Sequence, residues 1–359
     1  LVPIRGQNNV QGGGDMGALP NKLPGFQDVE DDDARGKFEA LWGHPVPPKA
    51  GLHISLMIEA MKEKAITALY VIGENPAQSE ADTQHIEAVL EGLEFMVVQD
   101  ILMTRTAEMA DVVLPAAAGW AESDGTSTSS ERRVQRVRKA LEPPGDAKDD
   151  IEIISLLAER MGRGWGIPTA EEAWDELRAL SPMHAGMSYK RLEELGGIQW
   201  PCPDENHPGT LFLHSWLWEE TLPREPAPFM PTVWVPPIDE LSDEFPVRMT
   251  TGRRLDSYNT GVQSGGYDSP LRAGGIIEIA PEDGANLGVA EGDTVKVSSR
   301  RGAIDVPVYF HDSLRPGLAF MALHFPDEAA VNQLTIDVWD PKSGTAEFKA
   351  TAVRIEKVA

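Results

Sequence analysis

Ala68-Leu69-Tyr70-Val71-Ile72-Gly73-Glu74-Asn75-Pro76 is an apolar run of strand length that breaks on a glycine, two polar residues and a proline. Two later stretches repeat the plan, Phe95-Met96-Val97-Val98-Gln99-Asp100 and Asp111-Val112-Val113-Leu114-Pro115. Residues 80–92 have helical character, a short helix separates the second run from the third, and Leu56, Ile58, Met61 and Ala65 suit a helix before the first. Buried strands alternating with helices predict a parallel α/β sheet with ligands at the C-terminal ends of its strands. Gly73, Glu74, Asn75, Gln99 and Asp100 gather at those ends.

Upstream, residues 1–50 are rich in Gly, Asn, Pro and Asp and read as an irregular lead-in, with one short helix near Ala34 to Trp42. The chain opens Leu1-Val2-Pro3 without an initiator Met, so residue 1 is expected to lie inside a longer polypeptide. Downstream, Ala121 to Ser130 is rich in Ser, Thr and Gly, and Glu131 to Lys139 is a basic island, of the kind a solvated strand or helix face usually explains. Asp149 and Asp150 precede a helix ending near Gly162, where an acid is an ordinary N-cap. Helices are expected near 170–180 and 188–195. Six prolines between Pro223 and Pro237 mark a linker or extended arm. Beyond it, Val295 and Val297, then Ile304, Val306, Val308 and Phe310, alternate with the period of half-buried strands about a turn at Arg300-Arg301-Gly302. A short helix starts at Pro281. The fold expected is α/β, a Rossmann-like parallel sheet followed by a mostly β, barrel-like domain. The boundaries are a lead-in at 1–50, the sheet domain at 51–215, a linker at 216–244 and the β domain at 245–359.

Composition narrows the function. Across 359 residues, 57 Asp and Glu face 32 Lys and Arg, a formal charge of −25. A chain this acidic repels a phosphate backbone, so general nucleic-acid binding is not expected. No run approaches the roughly 18 apolar residues of a membrane span. The single cysteine, Cys202, excludes an internal disulfide and a four-cysteine cluster made by this chain alone, and its Pro201/Pro203 setting reads as a packing thiol. The eight histidines form no i, i+4 pair, and no P-loop, G-x-G-x-x-G, H-E-x-x-H or G-x-S-x-G string is present. The residues alone therefore give a two-domain protein with a nucleotide-like ligand at the mouth of a sheet.

Specific strings go further. Arg5-Gly6-Gln7-Asn8-Asn9-Val10-Gln11-Gly12, Tyr70 to Pro76, Val98-Gln99-Asp100-Ile101, Ala110 to Pro115 and Glu131-Arg132-Arg133-Val134-Gln135 resemble the molybdenum- or tungsten-dependent formate dehydrogenases. Thr250-Thr251-Gly252-Arg253 through Tyr258-Asn259-Thr260, Asn332-Gln333-Leu334-Thr335 and Phe348-Lys349 continue the likeness in family order. The wider family is the bis-molybdopterin guanine dinucleotide (bis-MGD) oxidoreductases.

The resemblance implies the C-terminal half of a cytoplasmic catalytic subunit whose two MGD molecules hold Mo or W, with a double-psi-barrel-like second domain. The metal ligand and the [4Fe–4S] cluster are implied in an N-terminal half, which becomes a required partner beside electron-transfer subunits carrying Fe–S or flavin. Carried over residue by residue, Arg5 and Gln7 match the substrate-pocket pair for formate, a guanidinium fork suiting a carboxylate. Gly73, Glu74, Asn75, Gln99, Asp100 and Asp150 match nucleotide-side positions, with a carboxylate suited to guanine N–H groups. Thr251, Gly252, Arg253, Tyr258, Asn259 and Thr260 match the loop around pterin and phosphates. Phe325, Asn332 and Lys349 match apolar cover, a pterin hydrogen bond and a charge partner. Ser123 and Ser257 depart from the pattern, standing where relatives have Lys and His. The resemblance leaves open a related bis-MGD enzyme such as a nitrate reductase, or a non-catalytic molybdopterin-binding module.

Overall fold

A computed structural model of the protein describes residues 7–215, 228–255, 257–261, 274–341 and 343–358. The chain packs as two units: residues 1–53 with 115–231, and residues 54–114 with 232–359.

The first unit is built on an antiparallel sheet of β6 (Gly125–Thr128), β7 (Arg133–Val137) and β8 (Ile198–Gln199), with a two-strand ribbon of β1 (Lys22–Leu23) and β2 (Gln27–Asp28). Its helices are α1 (Val10–Asp15), α2 (Asp32–Trp42), α7 (Asp150–Arg160), α8 (Ala170–Leu180) and α9 (Tyr189–Leu195). Each longer helix starts on a side-chain cap that satisfies its first N–H groups: Asp31, Asp149, Thr169 in a capping box with Glu172, and Ser188. The core joins Val134, Trp174, Met187, Leu192, Ile198 and Cys202. Cys202 is a buried packing thiol, as expected, with the Arg191 guanidinium 3.4 Å from its sulfur. The basic island differs from a solvated face. Arg132 donates to the Trp200, Thr210 and Leu211 carbonyls and lies over the Trp200 ring, and Arg136 sits 3.6 Å from the Tyr189 ring centroid. These cations tie the sheet to its neighbours, so part of the run serves packing.

The second unit begins with α3 (Ile54–Lys62) and the strands β3 (Ala68–Ile72), β4 (Phe95–Asp100) and β5 (Val112–Pro115), in the order β3-β4-β5. β3 and β4 pair in parallel with Ala68 opposite Phe95 and Ile72 opposite Gln99. Short α4 (Pro76–Ser79), α5 (Thr83–Glu91) and α6 (Arg105–Glu108) connect them. Val71, Met96 and Val98 are buried with Ile58, Met61, Ile86 and Leu90 from the helices. Tyr70, Ile72, Phe95 and Val112 remain exposed, so the strand runs are less buried than their apolar sequences suggest.

The rest of this unit is a closed barrel, β10-β12-β11-β14-β9-β13, made of β9 (Val247–Gly252), β10 (Ile277–Ile279), β11 (Thr294–Ser298), β12 (Ala303–Phe310), β13 (Leu318–Ala322) and β14 (Thr351–Lys357). β10 with β12 and β9 with β13 run parallel, whereas β10 with β13, β11 with β12, β11 with β14 and β14 with β9 are antiparallel. The alternation read from sequence is the barrel's pleat: Val295, Val297, Val306 and Val308 are buried beside Met249, Ile277, Ile279, Met321 and Leu334. Burial of each such side chain stabilises by about 1.5–3 kcal/mol. Helix α10 (Pro281–Leu287) starts at Pro281 as expected.

The expected linker carries an anchor just after its prolines. Asp239, almost fully buried, accepts from Arg300 Nη1 at 2.5 Å, Arg301 Nη2 at 2.6 Å and the Ala352 N–H at 2.9 Å. The Arg300-Arg301 turn, read from sequence only as a hairpin, thereby clamps the incoming chain to β14.

Candidate functional site

At the sheet edge, the end of β3 turns outward through Gly73, whose φ of +63° favours glycine and whose N–H donates to the Gln99 carbonyl at 2.9 Å. Asn75 is buried. Its Oδ1 accepts from the Thr106 hydroxyl at 2.8 Å and the Thr106 N–H at 3.2 Å, and its Nδ2 donates to Gln78 Oε1 at 2.6 Å. Gln99 is fully buried and its Oε1 accepts from the Tyr70 hydroxyl. The two amides therefore brace the edge, joining β3 to α6 and β4 to β3.

The carboxylates at this edge are of another kind. Glu80 is pushed up to about 7 by burial, then by the negative charges of Glu74 and Asp337. Burial also raises Glu74, against a backbone hydrogen bond from Asn75 and with a further push from Asp100. Asp100 is raised by burial while backbone N–H groups at Leu102 and Ile101 pull it down. Asp337, from the barrel side, is raised by burial and faces His85 at 3.9 Å. Such carboxyls accept readily from N–H donors, or donate themselves when protonated.

On the barrel side, Thr251 and Gly252 end β9. Thr251 is buried and its hydroxyl donates to the Phe348 carbonyl at 2.7 Å. A Cβ on Gly252 would lie 2.8 Å from the Phe320 ring, so the close approach this glycine permits is to that ring. Lys349 Nζ donates to the Thr251 carbonyl at 2.6 Å, and its pKa is lowered by burial and then by the charge of Arg253. Two like charges thus sit together where β9 ends. Arg254 turns back to pair with Glu278 of β10 and lies over the Phe320 ring. Tyr258, Asn259 and Thr260 follow in a turn, with the Gly261 N–H donating to the Tyr258 carbonyl at 2.8 Å. Phe325 is buried edge-on to His324. Asn332 Nδ2 donates to the carbonyls of Gln78 at 3.2 Å and Ser79 at 3.1 Å, joining the barrel to α4 within this unit.

A cleft of about 200 Å³ opens beside that junction, lined by Gln78, Thr83, Gln84, Arg105, Pro326 and Gln333 among others. Of the candidate site residues read from sequence, Asn332 lines it.

Gln7 and Asp150 belong to the first unit, and Arg5 lies outside the described residues. The string around Gln7 has a local logic. Asn9 takes a left-handed φ of 60°, and its Oδ1 accepts the Thr128 N–H at 2.8 Å. A Cβ at Gly12 would collide with that oxygen. Asp15 accepts from Trp200 Nε1 at 2.7 Å, docking α1 on the sheet. Asp150 is the first residue of α7; the cap is Asp149, whose carboxylate accepts from the Ile151 N–H at 2.8 Å. The capping role left open for Asp150 therefore falls to its neighbour.

Sequence reasoning missed Glu80, Asp239, Asp337 and His324. No spacing marks them, because each has at least one partner distant in the chain. Among the described residues, no group of three or more His, Cys, Asp or Glu could hold a metal ion, and no helix is long and apolar enough to cross a membrane.

Comparison with known proteins fits these features to a family. Residues 5–160 match the molybdopterin oxidoreductase model, and residues 247–352 the molydopterin dinucleotide binding domain. The chain is 43% identical to F420-dependent formate dehydrogenase 2 subunit alpha of Methanococcus maripaludis, over 99% of this chain and 52% of that protein. It is 44% identical to the F420-dependent formate dehydrogenase subunit alpha of Methanocaldococcus jannaschii, again over 99% and 52%. Identity to formate dehydrogenase H of Escherichia coli is 38%, over 99% and 50%. The chain thus spans about half the length of these curated relatives. Among solved structures, acetylene hydratase from Pelobacter acetylenicus has the same fold, with a TM-score of 0.62 at 18% identity over 86% of this chain and 47% of that one. Both domain models are matched in order over a parallel sheet and a closed barrel, so the chain carries a molybdopterin oxidoreductase domain and a molydopterin dinucleotide binding domain.

Proposed function

We propose that this chain is the C-terminal part of a formate dehydrogenase catalytic subunit, gripping bis-MGD and positioning formate for its reversible two-electron oxidation to CO2. The observation that carries the reading is the juxtaposition of Arg253 and Lys349 at the end of β9, in the segment matching the dinucleotide-binding model. Burial and then the charge of Arg253 lower the Lys349 pKa, and a pyrophosphate relieves that repulsion. The raised carboxyls at the sheet edge suit the N–H edge of a guanine. The residues present therefore fit an anionic guanine dinucleotide.

When bound, the cofactor's Mo or W centre supplies the two-electron redox chemistry. The chain's own residues hold and orient. Arg253, Lys349 and the turn through Tyr258, Asn259 and Thr260 take the phosphate and pterin side, with Thr251 and Gly252 setting the strand end. Gly73, Glu74 and Asp100 take the nucleotide side, while Asn75 and Gln99 keep that edge in shape. Phe325 and Asn332 form the floor, and Asp150 is a further nucleotide contact. Arg5 offers a planar fork of donors to the formate carboxylate, with Gln7 supporting it. In this reading residues 51–215 and 245–359 are the two cofactor-binding domains, joined by 216–244. The remaining part of the subunit carries the metal ligand and the [4Fe–4S] cluster. The alpha-subunit names of the relatives support partner subunits, and Fe–S or flavin electron carriers in the cytoplasm complete the proposal.

The test is made on the full-length subunit. Acid denaturation should release a fluorescent pterin, and a dye-linked assay offered formate and nitrate should respond to formate. Arg5→Lys should raise the formate KM and lower turnover with pterin content intact. A nitrate response without a formate response, or no pterin, sinks the reading.

A further inference from the structure

The turn after β9 is held from one side by a residue outside it. His324 is buried, 2% exposed, in the segment following β13. Its Nε2 accepts the Arg254 backbone N–H at 2.6 Å, and its Nδ1 lies 2.5 Å from the Asn259 carbonyl oxygen. A backbone N–H only donates and a carbonyl only accepts, so these partners fix the ring as the neutral tautomer with its proton on Nδ1. One imidazole thereby spans two points of the turn five residues apart. The same backbone closes a third contact: Gly261 passes so near that a Cβ there would lie 1.8 Å from the His324 carbonyl oxygen, and its φ is +86°. The Leu323 N–H donates to the Gly252 carbonyl at 3.0 Å, continuing the attachment back to β9.

We infer that His324 is a positioning residue for the cofactor, setting the path of the Arg253–Gly261 turn through its two ring nitrogens. The inference rests on the reading of that turn as a dinucleotide-binding element. His324 acts through the backbone of Arg254 and Asn259, and the side chains of Tyr258, Asn259 and Thr260 inherit their placement from it. The arrangement is preorganised, because the ring is locked by packing against Phe325, whose plane lies at 81° to it. Without it the turn has to be ordered by the ligand, and affinity falls accordingly.

Three substitutions in the full-length subunit separate this role from plain packing. His324→Phe keeps the ring volume and removes both hydrogen bonds. His324→Gln places a carboxamide oxygen near the former Nε2 and keeps the acceptor for the Arg254 N–H. His324→Asn places an N–H near the former Nδ1 and keeps the donor to Asn259. Hydrogen exchange of peptides covering 252–261 reads the turn directly. Loss of a buried hydrogen bond is expected to speed exchange of the Arg254 amide about tenfold in the Phe and Asn variants, with Gln retaining much of the protection. Pterin released on acid denaturation should fall severalfold in the Phe variant and less in the other two, with exchange in the β11 and β12 amides unchanged. Wild-type exchange of the Arg254 amide in the Phe variant would overturn the inference. So would equal acceleration across β11 and β12 in all three variants, which is the mark of a packing residue. If the wild-type subunit releases no pterin, the cofactor reading fails, and the positioning role falls with it even where the exchange pattern is as expected.

Discussion

Glu80 offers the sharpest test of the electrostatics at the sheet edge. Its carboxyl moves from the ordinary 4.5 to about 7, through burial first and the charges of Glu74 and Asp337 after it. At about 1.4 kcal/mol per pH unit, holding Glu80 ionised in the folded protein costs about 3 kcal/mol. The folded-state value is raised, so the stabilisation is fully present below pH 4.5 and is lost as the pH climbs through 7. Glu80→Gln is neutral at every pH and escapes this loss. The variant should match the wild type at pH 4.5 and exceed it by about 3 kcal/mol at pH 8, the gap opening across the interval between. Neighbouring groups titrate in both proteins and largely cancel in the difference. Urea unfolding at a series of pH values, read by hydrogen exchange of β4 amides, measures this unit separately from the other, where a single global transition would not. Parallel stability curves for the two proteins would show that solvent reaches Glu80 freely and would refute the reasoning.

Three further outcomes are expected. Asp239→Asn leaves Arg300 and Arg301 facing a neutral side chain and should cost about 3–5 kcal/mol in barrel unfolding above the usual carboxylate range. Burial raises the Asp239 carboxyl but the Arg301, Ala352 and Arg300 contacts outweigh it and hold it low, so the difference should shrink only as acid protonates it in the folded state. Lys349→Met should reduce pterin retention in the full-length subunit severalfold while barrel unfolding stays near wild type; full retention would remove Lys349 from the site. Gly252→Val should displace the Phe320 ring and cost about 1–3 kcal/mol by overpacking, seen as a lower urea midpoint, since the space beside the glycine is already filled.

The strands of the sheet and barrel were legible because their information is local. Val71, Met96 and Val98, like Val295, Val297, Val306 and Val308, carry the pattern of burial in consecutive residues. The helices expected near 170–180 and 188–195 form at Ala170–Leu180 and Tyr189–Leu195, and the acid pair before the preceding helix supplies its cap in Asp149, again from information local to the chain. The strings around Gly73 and Thr251 pointed to the two edges of the second unit. What each residue there does was not legible. Asn75 and Gln99 look like ligand contacts in sequence, yet their amides are engaged by Thr106, Gln78 and Tyr70. Asp239 lies just beyond the proline-rich stretch, in the span that reads as a linker, and its arginine partners are sixty residues and more away. His324 has no signature because its meaning comes from two backbone atoms of another segment. Pairing across long separations leaves no periodic trace, so only the folded chain reveals it.

The ring order of the barrel has a consequence for biosynthesis. β14, last of the six in the chain, fills the gap between β11 and β9, the latter begun about a hundred residues earlier. Until Thr351–Lys357 has left the ribosome the cylinder stays open along that seam, and at roughly 5–20 residues per second the first strand waits several seconds for its neighbour. Lys349 emerges just ahead of that closing strand. A prosthetic group gripped by both ends of this span can be secured only after translation has passed them, which places loading after the synthesis of β14.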